Sequence, residues 1–304
     1  MAHSDRCLLD HLIAAASAGG TPAARGAVSY QRALVTGASS GIGRAFTQVL
    51  PASTDLLLVG RNAATLDEAR RELDRPGRRV ETIVADLADE AAVADLIARA
   101  DGFGIDLLIN NAGTGRLGAV IDNSARAERE TAAVNVLAVV QLSRGLLPGM
   151  IDRARRERRR AGLIIVASTA AFAPVPYFTT YAASKAFDLS FAEGLAEELR
   201  TQPVDVLALC PGATRSQFGS RAGLSASNLP GAMDPQTVAR QALAALGRQR
   251  VKVTGIDQAY LAPALLPRCL LTRVLGVAMR EVVARMAASP TPARPARRSS
   301  PGRP

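Results

Sequence analysis

The stretch Arg32-Ala33-Leu34-Val35-Thr36-Gly37-Ala38-Ser39-Ser40-Gly41-Ile42-Gly43 decides the fold of this chain. Its first five residues predict a short buried strand, and the apolar residues between 45 and 50 predict a helix after the glycines. Glycines in such a turn let backbone N–H groups approach a pyrophosphate, and the helix N-terminus adds a partial positive charge. A glycine loop can also be a plain turn, but its position between strand and helix favours a dinucleotide site.

Further apolar runs predict the rest of the fold. Strands are expected at 33–36, 56–59, 80–85, 107–110, 163–167, 204–209 and 251–254, with helical stretches such as 88–100 and 187–200 between them. Continuous apolar strands are typical of a parallel sheet that helices cover on both faces. The chain is therefore predicted to be an α/β protein, with a doubly wound parallel sheet (Rossmann fold) in a single domain and a C-terminal helical extension.

A second motif, Tyr181-Ala182-Ala183-Ser184-Lys185, places a phenol and an ammonium on one helical face. Lysine is rare in this chain, since only Lys185 and Lys252 occur among 37 Lys and Arg. Acid-base chemistry near neutral pH requires the phenol pKa to fall by about two to three units, and a cation one turn away favours the phenolate. The alternative is an exposed tyrosine beside a solvated lysine.

Six elements in register identify a family resemblance over residues 32 to 256. They are Thr36-Gly-x-x-x-Gly41-x-Gly43, Asn110-Asn111-Ala112-Gly113, Asn135, Ser168, Tyr181-x-x-x-Lys185 and Pro211-Gly212. This order and spacing resembles the shorter branch of the short-chain dehydrogenase/reductases. The resemblance implies hydride transfer between a nicotinamide cofactor and a carbonyl or alcohol.

The resemblance also implies catalytic roles. Ser168 would bind the substrate oxygen, Tyr181 would transfer a proton, and Lys185 would bind the nicotinamide ribose and lower the tyrosine pKa. Asn135 would hold a water that continues the proton relay. Alternatively, Asn135 only satisfies a local backbone group, but its interruption of an apolar helix face favours the relay.

The end of the second predicted strand carries Arg61 and no acid, which favours NADP(H) over NAD(H), because a ribose 2′-phosphate requires a cation. The alternative is a surface arginine at a helix entry.

Asp86 resembles the residue that contacts adenine, and Asn110 is expected to tie adjacent strands together. Ser216 stands where the family typically carries threonine. The full expected set of cofactor contacts is Gly37, Ser39, Ser40, Gly41, Ile42, Gly43, Arg61, Asp86, Asn111, Ala112, Gly113, Tyr181, Lys185, Pro211, Gly212, Thr214 and Ser216.

Three aromatic residues near Ser168 predict an apolar substrate pocket, and residues 219–233 are expected to form a mobile substrate loop. The aromatic residues are Phe172, Tyr177 and Phe178. A rival function is a cofactor-binding regulator or scaffold without turnover. The intact Ser, Tyr, Lys and Asn set disfavours that rival, because binding alone would not require it.

Composition favours an enzyme of the cytoplasm. Cys7, Cys210 and Cys269 form no pattern, which indicates a reducing compartment and no metal site, and the only histidines are His3 and His11. Segment 7–18 superficially resembles a signal peptide, but Asp10 and His11 interrupt it. The net charge of +10 is concentrated in 152–160 and 288–304. These basic segments have no interleaved aromatic residues and the rest of the chain is nearly neutral, which is poor evidence for nucleic-acid binding and favours a solvated helix end for the first segment.

The expected organisation has four parts: a disordered extension at 1–30, a catalytic domain at 31–260, an amphipathic helix at 261–287 and a disordered tail at 288–304. In the helix, Arg273 and Arg280 oppose a face of Leu271, Leu275, Ala278, Met279, Val282 and Met286, while Leu270, Val274 and Val277 widen the apolar surface. Residues 265–286 are therefore expected to contact a subunit or the substrate lid, with peripheral membrane attachment as the alternative. The predicted partners are a small-molecule carbonyl or alcohol and further copies of the chain in a dimer or tetramer.

Overall fold

The computed structural model describes residues 29–222, 232–255 and 267–288. In this part of the chain, seven strands form one sheet in the order β3-β2-β1-β4-β5-β6-β7, and every neighbouring pair is parallel. The predicted doubly wound parallel sheet is confirmed. The strands are β1 (Arg32–Thr36), β2 (Asp55–Gly60), β3 (Val80–Val84), β4 (Leu107–Asn110), β5 (Ala161–Val166), β6 (Val204–Pro211) and β7 (Val251–Thr254).

Helices connect the strands and cover both faces of the sheet. They are α1 (Gly41–Val49), α2 (Ala63–Leu73), α3 (Glu90–Phe103), α4 (Ala125–Ala132), α5 (Ala138–Arg156), α6 (Thr179–Glu198), α7 (Phe218–Ala222), α8 (Pro235–Ala245) and α9 (Arg268–Ala288). A π-helical segment, Ala133–Leu137, joins α4 to α5, and a 3₁₀ turn, Thr169–Phe172, follows β5. The helix expected at 187–200 begins earlier, at Thr179, because the polar residues of its first turns interrupt the apolar pattern.

Each face of the sheet has its own apolar core. Leu34 faces the core that α3, α5 and α6 cover, whereas its neighbour Val35 faces the core beneath α1, α2 and α8. Successive strand side chains point to opposite faces, so a strand buried on both faces is apolar throughout. The strand order changes direction between β1 and β4, and a crevice opens there beyond the carboxyl ends of the strands.

The helical run Ala125–Arg156 is the one helix in the described ranges that is long and apolar enough to cross a membrane. Half of its most apolar window is buried inside the protein, and Leu142 and Leu146 are fully buried in the core above the sheet. Its apolar character is therefore used in packing against the sheet.

The basic segment 152–160, which spans the end of α5 and the approach to β5, is tied to the fold, so its interpretation as merely a solvated helix end is wrong in part. Arg160 pairs with Asp205 at 2.7 Å and also donates to the carbonyl oxygen of Val204 at 2.9 Å. Arg153 pairs with Asp101 at 2.9 Å. These arginines join α5 and the start of β5 to neighbouring elements, which a count of charges does not reveal.

Helix α9 packs one face against the segment before the Tyr181 helix. Leu271 is buried, Gly276 lies against Pro176, and Arg280 donates a hydrogen bond from Nε to the Tyr177 hydroxyl at 3.1 Å. Since Arg280 was expected on the opposite face, the face that packs is rotated from the predicted one, and Ala278 and Val282 are exposed. Helix α9 thus supports the backbone beside the candidate site.

Several predictions concern residues outside the described ranges. They are the disorder of the N-terminal extension and of the tail, the signal-like segment, Cys7, both histidines, and most of the expected substrate loop. Tyr30, at the end of the expected extension, is described and is buried in the core of α1, α2 and α8. The region of the boundary expected at 260 also lies outside the described residues.

Candidate active site

The turn after β1 requires glycine for steric reasons. A Cβ atom on Gly43 would lie 2.3 Å from the carbonyl oxygen of Gly37 and 2.4 Å from Nδ2 of Asn111. Gly37 itself has a φ of +66°, which L residues with a side chain rarely adopt. The start of α1 is therefore pressed against the end of β1, and only glycine permits this close packing.

The N-terminus of α1 is available to an anion. Ser40 is the N-cap residue, but its side chain makes no capping hydrogen bond, and the first turn contains no acidic residue. Four other helices have side-chain caps, from Asn62, Asp89, Ser124 and Asp234. The first N–H groups of a helix have no partners within the helix, so these groups of α1 fit the phosphates of a dinucleotide cofactor.

Thr36 and Asn111 hold this turn against the end of β4. The Thr36 hydroxyl accepts hydrogen bonds from the backbone N–H groups of Asn111 and Ala112, both at 2.9 Å, and Asn111 Nδ2 donates to the Thr36 carbonyl oxygen at 2.8 Å. Asn110 was expected to tie adjacent strands, but its Nδ2 donates to Ser143 of α5 at 3.2 Å. Asn111 makes the link between strand ends, because the alternating side chains of β4 direct Asn110 towards the helix layer.

Asn135 lies fully buried in the π-helical segment and links two parts of the site. Its Oδ1 accepts from the Thr114 N–H at 2.9 Å, while its Nδ2 donates to the Thr114 carbonyl oxygen and to Ser184 Oγ, both at 2.9 Å. The amide thus satisfies a backbone segment, as the alternative interpretation of this residue predicts. It also connects the loop after β4 to the helix that carries Tyr181 and Lys185.

Ser168, at the end of β5, contacts Tyr181 on α6. Burial raises the pKa of the Tyr181 phenol above its ordinary value, although the Lys185 charge and a hydrogen bond with Ser168 lower it. Lys185 thus lowers the pKa of the phenol, as expected. The expectation of a lowered pKa overall is wrong, because burial raises it more. Removing a phenolate from water costs more free energy than its attraction to the neighbouring cation recovers.

The Lys185 ammonium is buried beside Tyr181 and makes two hydrogen bonds. It donates to the Val166 carbonyl oxygen at 2.8 Å and to Asp188 Oδ2 at 2.9 Å, and its Nζ lies 5.9 Å from the centre of the Tyr181 ring. Burial lowers the pKa of this amine, but the charge of Asp188 and the hydrogen bond to it, together with Tyr181 and Cys210, raise it, so the pKa lies above its usual range. Lys185 is therefore a buried cation with a paired acid.

The predicted catalytic and cofactor residues border one crevice. A cleft of ≈ 590 Å³ joins a smaller pocket of ≈ 220 Å³, and Gly37, Ala112 and Gly113 line both. All the predicted residues line one or the other except Asn135, which lies behind Thr114, and Gly43, which lies under the turn. The predicted residues in the smaller pocket are Gly37, Ser39, Arg61, Asp86, Ala112 and Gly113; those in the larger cleft are Gly37, Ser40, Gly41, Ile42, Arg61, Asn111, Ala112, Gly113, Ser168, Tyr181, Lys185, Pro211, Gly212, Thr214 and Ser216.

Arg61 lies at the end of β2 and faces an acid across the smaller pocket. Its guanidinium pairs with Glu130 of α4 at 2.5 Å, and the side chain is 56% exposed. Asp86 lines the same pocket and accepts a hydrogen bond from the Ala88 N–H at 3.0 Å. A cation at this place can bind a phosphate, but Glu130 competes for it.

An aromatic wall covers the phenol. The Phe178 and Tyr181 rings stack with centres 4.3 Å apart, and Phe218 of α7 lies 5.1 Å from the Tyr181 ring. Of the three aromatics expected to form the pocket, only Phe178 lines the cleft; Phe172 is not among the lining residues, and Tyr177 binds Arg280. Phe218 supplies the second ring of this wall, and an apolar substrate pocket stays a prediction.

The segment after β6 is held beside the turn of β1. Thr214 pairs with Met233 in an isolated parallel bridge, and the Thr214 hydroxyl donates to the Gly212 carbonyl oxygen at 3.0 Å. Ser216 Oγ accepts a hydrogen bond from the Phe218 N–H at 3.4 Å. A Cβ atom on Gly41 would lie 3.0 Å from Ser216 Cβ, so this segment reaches the glycine turn.

Three residues of the site were missed from the sequence. Asp188 had a usable signal, because it is a charged residue one helical turn after Lys185 in an otherwise apolar stretch. Phe218 follows the Pro211–Ser216 segment closely and could have been assigned to the lid. Glu130 had no signal, because it reaches Arg61 from an element 69 residues away.

Comparisons with known proteins agree with this geometry. A family model described as short chain dehydrogenase matches residues 31–224. Dehydrogenase/reductase SDR family member 7B of Bos taurus is 32% identical over 241 residues, which cover 74% of this chain and 73% of the relative.

Two solved structures have the same fold. A short-chain dehydrogenase from Sphingobium yanoikuyae in complex with NADPH is 28% identical, with a TM-score of 0.70, covering 89% of this chain and 100% of that one. A short chain dehydrogenase/reductase from Burkholderia phymatum in complex with NAD is 24% identical, with a TM-score of 0.68, covering 79% and 93%. The comparisons thus include both nicotinamide dinucleotides.

Proposed function

This chain belongs to the short-chain dehydrogenase/reductase family of NAD(P)-dependent oxidoreductases, and we propose that it interconverts a carbonyl and an alcohol on an apolar substrate, with NADP(H) preferred over NAD(H). The observation that carries the proposal is the meeting of Ser168, Tyr181 and Lys185 in one cleft with the glycine turn. The nicotinamide cofactor, when bound, supplies the hydride chemistry. The residues of this chain bind the reactants and transfer the proton.

In the proposed mechanism, Tyr181 is the proton donor in the direction of reduction. Because burial raises its pKa, the phenol is protonated at neutral pH and can donate to the developing oxyanion. The Ser168 hydroxyl lies beside it and can donate a second hydrogen bond to the same oxygen. The Lys185 charge favours the phenolate that forms when the proton leaves.

Asn135 is proposed to continue the proton relay from Lys185 through a bound water. Support comes from its position, since a Cβ atom on Gly113 would lie 3.5 Å from both Asn135 Oδ1 and Lys185 Nζ. The π-helical turn around Asn135 also supports the proposal, because such turns are frequent at functional sites. The side-chain amide of Asn135 is paired with Thr114 and Ser184. In the proposed relay, Asn135 therefore keeps the Thr114 backbone and its own side chain in place beside the water.

The proposed preference for NADP(H) rests on the end of β2. Arg61 lines the pocket beside Asn62, which caps α2 with its side chain, and no acid of the β2 end takes the place beside the ribose. A 2′-phosphate can displace Glu130 from Arg61, because it offers a stronger and doubly charged acceptor. An adenosine ribose without this phosphate gains nothing from Arg61.

The apolar substrate class is proposed from the aromatic wall. Phe178 and Phe218 line the cleft next to the Tyr181 ring and present carbon surface to a substrate bound there. A ketone with apolar substituents would remove this surface from water on binding, whereas a small sugar would leave its hydroxyl groups without partners there.

A panel assay tests the proposal against a non-catalytic scaffold. Absorbance of NADPH is followed with aromatic and alicyclic ketones, with small polar aldehydes and sugars as matched controls, and each reaction is repeated with NADH. We expect turnover on apolar ketones, faster with NADPH. Cofactor binding without turnover on any of these carbonyls would favour the regulator or scaffold instead.

We propose that the outer face of α9 contacts a second copy of the chain. Leu270, Val274 and Val277 are 48%, 56% and 60% exposed on this face. Arg273 and Glu281 lie at equal distances along the helix on either side of Val277. An antiparallel two-fold contact centred on Val277 would therefore bring each arginine close to the partner's glutamate. Helix α9 carries four arginines besides Glu281, so its net charge also suits an anionic membrane surface. It is the placement of Arg273 and Glu281 on either side of Val277 that favours self-association over membrane attachment.

Val277→Glu should break this contact, because two-fold symmetry would place two carboxylates together and weaken association by at least about tenfold. Light scattering measures the mass, and Cys269→Glu, which adds the same charge at an exposed position on another side of α9, should leave it unchanged. A mass that does not respond to Val277→Glu contradicts the contact. Sedimentation of the parent chain with anionic liposomes would support membrane attachment in its place.

Both described cysteines are free thiols, Cys210 buried and Cys269 exposed. Together with the unpatterned cysteines of the sequence, this supports the proposed cytoplasmic location.

A further inference from the structure

Asp188 is an acid buried in the centre of the protein, next to the proposed catalytic lysine. It lies on α6, one turn after Lys185, and has no exposed surface. Its Oδ2 accepts a hydrogen bond from the Lys185 ammonium at 2.9 Å, while Oδ1 has no hydrogen-bond partner. A carboxylate in such a place costs much free energy unless it interacts with a cation. The interaction with Lys185 therefore offsets the free-energy cost of burying Asp188.

The pairing also decides where the Lys185 ammonium points. An ammonium has three N–H donors, and here Asp188 and the Val166 carbonyl oxygen take two of them. The side chain lines the large cleft, and a Cβ atom on Gly113 would lie 3.5 Å from Nζ. One donor is thus left for the cleft, with the amine held from behind at two points.

We propose that Asp188 is a positioning residue that acts through Lys185: it holds the amine beside Tyr181 and keeps it protonated in its buried place. A buried lysine without an anionic partner loses its proton easily, because burial disfavours the charged form. A neutral amine would no longer favour the Tyr181 phenolate. The catalytic consequence rests on the proposed function, whereas the charge state of Lys185 does not.

The groups that act on Lys185 come from two elements. Asp188 and Tyr181 belong to the same helix, and Cys210 faces it from β6. Burial raises the pKa of the Cys210 thiol to about 12, so this group is neutral near pH 7. Burial also raises the Tyr181 pKa, so the phenol is neutral there as well. Burial raises the pKa of the Asp188 carboxyl as well, and the Lys185 ammonium lowers it. Because a carboxyl ordinarily loses its proton far below the pH at which a thiol or a phenol does, Asp188 supplies the negative charge beside Lys185 and raises the pKa of the amine.

The charge of Lys185 can be measured directly because the chain has only two lysines, Lys185 and Lys252. Lysine labelled at Cε with an NMR-active carbon isotope gives two signals, and Lys252→Arg assigns them. In the full-length protein carrying Asp188→Asn, we expect the Lys185 titration midpoint to fall by at least about two pH units. Asp188→Glu should restore most of the shift, because it returns the anion.

Asp205→Asn is the matched control, since it removes another buried carboxylate, which pairs with Arg160 at the amino-terminal ends of β5 and β6, opposite the end of the sheet that carries Lys185. It should leave the Lys185 midpoint unchanged. Equal midpoints in the parent protein and Asp188→Asn would overturn the proposal.

A pH series of turnover then tests the catalytic consequence. Asp188→Asn should lose turnover as the pH rises through the lowered Lys185 midpoint and keep more of it at lower pH, whereas a purely structural defect would lower turnover equally at every pH. If the parent chain turns over no carbonyl, the proposed function fails, while the NMR titration still decides the role of Asp188.

Discussion

Tyr181→Phe should lower turnover in the direction of carbonyl reduction by at least about a hundredfold, because it removes the proton donor and little else. The phenylalanine ring can keep the stacking on Phe178, so the dissociation constant for NADPH should stay within about threefold of the parent value. Turnover is measured at saturating substrate and cofactor at neutral pH, and binding by fluorescence titration of NADPH.

Tyr177→Phe is the matched control for this prediction. It removes a hydroxyl that binds Arg280 outside the cleft, so turnover should remain near the parent value. Lys185→Ala, by contrast, should damage both cofactor binding and turnover, since one ammonium serves both. Near-normal turnover in Tyr181→Phe would contradict the role of Tyr181 as proton donor.

Arg61→Ala should raise the Michaelis constant for NADPH and leave that for NADH nearly unchanged. A charge-assisted hydrogen bond to a phosphate contributes about 1.5–3 kcal/mol, so the discrimination between the two cofactors should fall by about ten- to a hundredfold. The ratio of kcat/KM for the two cofactors, measured with one ketone, checks the prediction.

Glu130→Gln makes this test sharper. The structure pairs Glu130 with Arg61, so a neutral amide at this position should release the guanidinium and lower the Michaelis constant for NADPH but not for NADH. Arg71→Ala, which removes an exposed arginine paired with Asp67 on α2, is the matched control and should change neither constant. If Arg61→Ala changed the Michaelis constants for NADPH and NADH equally, Arg61 would not bind the 2′-phosphate.

The position of the site was predictable because it depends on local patterns. Glycine spacing after an apolar strand indicates a phosphate turn, and the Tyr181–Lys185 spacing follows from the helical repeat. Both signals lie within a few residues, where backbone geometry alone relates the side chains. Long-range pairs such as Arg61 with Glu130 carry no such pattern, since their meeting depends on how two helices pack against the sheet.

The direction in which the Tyr181 pKa is shifted was predicted wrongly for a related reason. Lys185 was recognised as a cation one turn away, but the sequence could not show how deeply both side chains are buried or that Asp188 neutralises part of the charge. Desolvation depends on all surrounding elements, here including Phe178 and Phe218 above the ring. The sequence identifies which groups meet, and packing decides the balance between them.

By itself the sequence determined the doubly wound parallel sheet, the glycine turn and the pairing of Tyr181 with Lys185, because apolar runs and short spacings specify strands, helices and their adjacent turns. The place of Ser168 was implied by the family resemblance. Only the tertiary structure decided that Asp188 holds Lys185, that Glu130 faces Arg61 and that α9 packs on the segment before Tyr181. Those contacts arise from the docking of whole elements, in which burial and charge act through space, independently of separation along the chain.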